Sequence, residues 1–287
     1  MNKTPGAALT ITGLCLLATI TAFAAPQGAI EIGSIEELQR IGYDPAYPLN
    51  GYYVLTRDID ASRTAAWNNG AGFAPIGDRN DDDPSLCFNG WFDGQSHVIR
   101  NLVINRPEAH MVGLFGSLGQ SAVVVNLGLE GGSVTGNYYV GALVGENWSE
   151  SVAGCHANMT VLGVSRVGGL VGINRGVMDL CYAAGPVSGD YYVGGLAGRN
   201  YEGVIQESYA AGRVTGVTET GGLVGETVEG EVVASFWDMD ESGLVVSGGG
   251  QGLSGAEMKS PNAFMRAGWD FTELWAMIPG RTRPYLR

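Results

Sequence analysis

A five-residue phrase of small and apolar residues returns along this chain at almost constant spacing. It reads Val112-Gly-Leu-Phe-Gly116, Gly141-Ala-Leu-Val-Gly145, Gly168-Gly-Leu-Val-Gly172, Gly194-Gly-Leu-Ala-Gly198 and Gly221-Gly-Leu-Val-Gly225. The closing glycines lie 29, 27, 26 and 27 residues apart. A second phrase keeps step with the first: Val134-Thr-Gly136, Val161-Leu-Gly163, Val187-Ser-Gly189 and Val214-Thr-Gly216. Self-similarity at a fixed short period marks a stacked repeat architecture, in which each unit buries its apolar face against its neighbours.

The apolar runs are three to six residues long, rich in Val, Leu and Tyr, and bounded by Gly, Asn and Ser, which is strand chemistry. A helical repeat would need two amphipathic segments of about ten residues per unit, and glycine is costly inside helices. The chain has 46 glycines in 287 residues, with 45% hydrophobic and only 16% charged residues, which also excludes a disordered polymer. Three short strands per unit of about 27 residues predict an all-β fold, a right-handed parallel β-helix or solenoid of about seven turns. A propeller blade would need about 40 residues. The repeated glycines are expected at corners, through positive φ or close backbone approach.

These units resemble the GLUG motif, a glycine-leucine repeat of bacterial surface and secreted proteins that include IgA-cleaving peptidases and haemagglutinin-like adhesins. The likeness is clearest over Val167–Gly189 and Val193–Gly216 and looser at 140–163, where His156 takes the place of an aromatic residue. It extends to the flanks, through Phe88-Asn-Gly-Trp-Phe-Asp-Gly94 before the repeats and Phe236-Trp-Asp238 after them. The resemblance implies a β-solenoid and says little about activity.

The sequence divides into a signal peptide over 1–24, an N-terminal cap and first coils over 25–111, the repeat solenoid over 112–253, and a C-terminal cap over 254–287. Lys3, an apolar stretch to Ile20 and Ala22-Phe23-Ala24 have the order of a secretory signal. Export to the periplasm, cell surface or medium is therefore expected, with no membrane span after cleavage. Ser34-Ile-Glu-Glu37 and Ser254-Gly-Ala-Glu257 have capping-box spacing, and Pro261 suits a first helical turn. Short helices are expected to cap both terminal coils, whose open strand edges would otherwise invite aggregation.

Stacking turns sequence spacing into columns. One column reads Tyr139, Arg166, Tyr192, Glu219, and the position before it reads Tyr138, Ser165, Tyr191, Thr218. Arg166 is expected between two tyrosines in a cation–π arrangement. Tyr138, Tyr139, Arg166, Tyr191 and Tyr192 form the candidate binding surface, for a glycan or an extracellular protein; the same column could also serve only to hold strands together. Cys155 and Cys181 share another column, continued by Ser208 and Ser235, and read as stacked buried thiols or a strained disulfide.

No catalytic residue, metal site or cofactor is assigned. The histidines are His97, His110 and His156, without an HExxH motif, and no G-x-S-x-G elbow or P-loop occurs. Asp78 to Asp83 has alternating acids but lacks the turn glycine of a calcium loop. A formal net charge of −13 disfavours nucleic acid. Asp179 aligns with Ala153 and Gln206, and Glu207 with Gly154 and Leu180, so acids do not recur on neighbouring coils. The expected role is a non-enzymatic surface or secreted module for adhesion or recognition. The alternative is a carbohydrate-active enzyme, a polysaccharide lyase or glycosidase of the parallel β-helix type.

Overall fold

A computed structural model describes residues 28–77 and 83–287. The expected signal peptide and the acids from Asp78 to Asp82 lie outside the described residues. The chain is wound as a parallel β-solenoid, and one coil shows its plan. The strand Tyr138–Gly141 lies in a first sheet, Val144–Asn147 in a second, Ser151–Ala153 in a third and His156–Leu162 in a fourth. The chain then re-enters the first sheet at Ser165–Gly168, directly above its start. The third sheet holds eight strands, from Ile30–Ile32 to Glu231–Val233, so the chain climbs about seven turns.

Each coil of the repeat from Tyr138 to Val233 therefore has four faces where the sequence predicts three strands. The difference lies in the glycine-leucine phrase, which reads as one apolar run and folds as two strands joined by an arch. Leu143, Leu170, Leu196 and Leu223 point inward at the arch and are fully buried. The first and second sheets pack back to back through glycine: a Cβ on Gly172 would lie 2.5 Å from the carbonyl carbon of Tyr139. Contacts this short between a Cβ and backbone do not occur, so only glycine lets the two sheets meet. The repeat glycines serve close approach and not positive φ. In the first sheet the left-handed region is instead taken by Tyr139, Arg166, Tyr192 and Glu219, with φ of 58°, 54°, 54° and 51°.

Register follows the repeat. Val140, Val167 and Val193 pair in sequence, as do Val152, Met178 and Ile205, and all are buried in one continuous core. Inside the bend between the second and third sheets, Asn147, Asn174 and Asn200 stack as a ladder. Asn147 Nδ2 donates to Asn174 Oδ1 at 2.7 Å, and Asn174 Nδ2 to Asn200 Oδ1 at 2.8 Å. Cys155 and Cys181 are buried free thiols, and the Ser208 Oγ next in that column accepts from Cys181 N at 3.0 Å. Burial pushes the Cys155 thiol up to about 12.

The N-terminal helix Ile35–Gln39 buries Ile35 and Leu38 in the first coil. Ser34 caps it, while Glu37 reaches back to the amide of Gly33, one residue earlier than a capping box requires. At the other end the Ser254–Glu257 box is reciprocal, and the expected helix is Pro261–Arg266. Its position differs from the expectation. The terminal coil is closed by the short helix Met239–Ser242 and the segment after it, where Met239 and Leu244 reach the solenoid core and Gly248 N donates to Val224 O. The helix Pro261–Arg266 and the chain beyond it turn back along the outer flank of the fourth sheet.

This strap covers a stack of outward-facing rings. His156, Tyr182 and Tyr209 are parallel within 6°, with centroids 4.8 and 4.9 Å apart. Trp269 and Trp275 of the strap lie against Tyr209, and Phe264 against Phe236. The strap is pinned by Arg283, whose Nε and Nη2 reach the fully buried carboxylate of Asp238 at 2.9 and 2.6 Å. Among the described residues no helix is long and apolar enough to cross a membrane.

Candidate functional site

The candidate residues fall on neighbouring strands of the first sheet. Tyr138, Ser165 and Tyr191 pair across three coils. Arg166 sits between the rings of Tyr139 and Tyr192, its Cζ at 5.1 and 5.2 Å from their centroids. Tyr138 and Tyr191 stand outward beside this sandwich and are exposed, Tyr191 at 49%. Tyr138 also carries His110 against its ring, with centroids 4.9 Å apart.

The fold extends the array onto the second sheet with residues that the sequence reading missed. Arg199 lies between Tyr192 and Tyr201, at 5.4 and 5.3 Å, and Arg175 between Tyr201 and Trp148, at 4.7 Å from each. One unbroken alternation results, from Tyr139 through Arg166, Tyr192, Arg199, Tyr201 and Arg175 to Trp148. Trp148, Arg175 and Tyr201 each follow an asparagine of the ladder by one residue, so their column is readable from the repeat. The contact of Tyr192 with Arg199 is not, because it crosses the arch between two sheets.

The three arginines differ in charge balance. Arg175 Nε donates to Glu146 Oε1 at 3.2 Å, and Arg199 Nε meets Glu226 Oε2 at 2.6 Å. Arg166 has no carboxylate within ion-pair distance among the described residues. Its polar contact is Nη1 to Ser165 Oγ at 3.3 Å, and its Nε is buried without an acceptor. Tyr139, Arg166 and Tyr192 also hold left-handed backbone, which costs a non-glycine residue about 1–2 kcal/mol. The same conformation recurs at Met111 and Glu219, so it belongs to the bend of the coil and is enforced by the surrounding solenoid.

A second group of side chains meets at the edge of the strap. The registers expected for Asp179 hold, opposite Ala153 and Gln206. Folding adds Asp270 from the strap. Burial, then the carboxylates of Asp179 and Asp270, push Glu207 up to about 7, and burial raises Asp179 as well. His97 contacts Asp58 at 3.2 Å. Among the described residues no group of three or more His, Cys, Asp or Glu side chains is placed to hold a metal ion.

Comparison with known proteins places the repeat. The GLUG motif matches residues 136–162 and 189–215. The chain carries GLUG repeats. Each matched segment is one full coil, beginning at the glycine that follows a fourth-sheet strand. Halomucin of Haloquadratum walsbyi is 41% identical over 162 residues, covering 56% of this chain and 2% of halomucin. A candidate Gly-rich membrane protein of Evansella cellulosilytica is 36% identical over 101 residues, 34% of this chain and 11% of that protein. The chain thus corresponds to a small part of either relative. A crystal structure from Bacteroides ovatus, described as a candidate immunoglobulin A1 protease, superposes with a TM-score of 0.61 at 18% identity, covering 92% of this chain and 94% of its own. At that identity the likeness is one of fold.

Proposed function

We propose that this GLUG-repeat solenoid is a non-enzymatic recognition module of an exported or surface protein, and that it binds glycans through the aromatic and arginine array. The carrying observation is the continuous alternation from Tyr139 to Trp148 across two outer sheets, with the exposed rings of Tyr138 and Tyr191 beside it. Flat rings offer sugar faces an apolar platform with little conformational entropy to lose, and guanidinium edges offer directed donors. Export rests on the signal-like order of residues 1–24, and the description of one relative as a membrane protein points the same way.

A binding screen over glycans and extracellular-matrix proteins, run beside polysaccharide-depolymerisation assays, tests the reading. Glycan retention by the native chain, lost in a Tyr139→Ala/Tyr192→Ala variant of unchanged circular dichroism, is the expected result. Retention of matrix proteins alone would move the function to protein adhesion. Depolymerisation of any glycan would favour the carbohydrate-active alternative, whose acids would be Asp179 and Glu207, both held above their usual range.

A further inference from the structure

We infer that Arg166 is an anion-capture point within the array, and that the saccharides this surface takes are acidic ones, carrying a carboxylate or a sulfate. The inference rests on the glycan-recognition reading above and adds the chemical class of the ligand. Three arginines share the array, and two of them are neutralised in place: Arg175 by Glu146 and Arg199 by Glu226. Among the described residues Arg166 alone of the three lacks a carboxylate within ion-pair distance, and its Nε, like that of Arg199, is buried without a hydrogen-bond acceptor.

The rings of Tyr139 and Tyr192 cover both faces of its guanidinium. Stacking of this kind fixes the orientation of the group while leaving its N–H edge for acceptors. Ser165 Oγ takes one donor at 3.3 Å, and a guanidinium has five. Nε is covered by the protein, so an incoming carboxylate or sulfate meets the Nη1–Nη2 end of the half-buried group, and charge-assisted bonds are about twice as strong as neutral ones. Tyr138 and Tyr191 lie immediately beside Arg166, paired with Ser165 on either side. A sugar ring resting on either of them brings its acidic substituent to Arg166. The formal charge of −13 on the whole chain repels polyanions at long range, but that repulsion falls off beyond about 8 Å at physiological salt, so capture rests on the local contacts of Arg166.

Binding of the full chain to oligogalacturonate, dextran sulfate, neutral dextran and polyglutamate is the test, with native protein, Arg166→Gln and Arg166→Lys compared. The native chain is expected to hold oligogalacturonate or dextran sulfate at least tenfold more tightly than dextran, and the two probes separate carboxylate from sulfate. Arg166→Gln should erase that preference, and Arg166→Lys, which keeps the charge without the fork, should keep only part of it. Circular dichroism and thermal melting confirm that each variant folds; should Arg166→Gln fail to fold, Arg166→Lys carries the comparison. Equal binding of dextran, or an acidic preference that survives Arg166→Gln, overturns the anion site while leaving glycan recognition standing. Polyglutamate held as tightly as the saccharides makes an acidic protein the ligand and overturns the saccharide class. Absence of binding to every saccharide removes both this inference and the reading beneath it.

Discussion

The backbone of Gly198 rests on that of Arg166. A Cβ built on Gly198 would lie 2.4 Å from the Arg166 carbonyl carbon, so the last glycine of one repeat supports the left-handed arginine of the coil before it. The most regular glycine of the motif and the most variable outward position, Tyr, Arg, Tyr or Glu, are thus two sides of one contact. The glycine keeps the arch thin, and the arch sets the arginine among its rings.

Gly198→Ala should therefore destabilise the fold and disturb the array together. Forcing a methyl group into a close-packed contact costs about 1–3 kcal/mol. A lowered urea midpoint with an unchanged slope is the expected reading, and a variant as stable as the native chain would show that the sheets can part without cost.

Asn174 is the middle of the amide ladder, donating to Asn200 and accepting from Asn147 inside the core. Asn174→Ala strands both neighbours, and each buried unsatisfied group costs about 1–3 kcal/mol. Equilibrium unfolding should show a loss of about 2–4 kcal/mol, well above that of Ser188→Ala on the partly exposed fourth sheet.

Removal of residues 254–287 should leave the solenoid wound and make it self-associate. The segment leaves the terminal coil closed by Met239 and Leu244 but uncovers Tyr182, Tyr209 and Phe236 on the flank. Light scattering after size exclusion should show oligomers, and binding of a hydrophobic dye should rise. A monodisperse truncated chain with unchanged dye binding would mean that the ring stack tolerates water.

Glu207 gives a pH dependence of known sign. Its pKa is raised from 4.5 to about 7 in the folded chain, so between these values the folded state holds a proton that the unfolded state has released. Its stabilising contribution is complete below about pH 4.5 and is lost as pH rises through 7. Glu207→Gln stays neutral throughout. Its melting temperature relative to the native chain should rise from pH 5 to pH 8, and a constant difference would remove Glu207 as the cause.

Much of this was legible because a solenoid repeats its contacts at a fixed sequence interval. The spacing of Gly145, Gly172, Gly198 and Gly225 predicts the winding, and counting from those glycines places Arg166 between Tyr139 and Tyr192. The count of strands per coil was not legible, since an arch inside an apolar phrase leaves the hydrophobic pattern unbroken. Nor was the position of the C-terminal helix. Pro261, Phe264 and Met265 announce a helix, and a helix start carries no information about which face it will cover.

The period, the columns and the burial of each repeated valine and leucine follow from the order of residues, because pairing between coils depends only on register along the chain. What crosses between columns follows from the folded arrangement. It brought Arg199 beside Tyr192 from another sheet, set Asp270 against Glu207 from the strap, and left Arg166, among the described residues, without the carboxylate that its two neighbours have. Those contacts depend on how tightly the arch turns and where the tail folds back, and both are set by packing between surfaces distant in sequence.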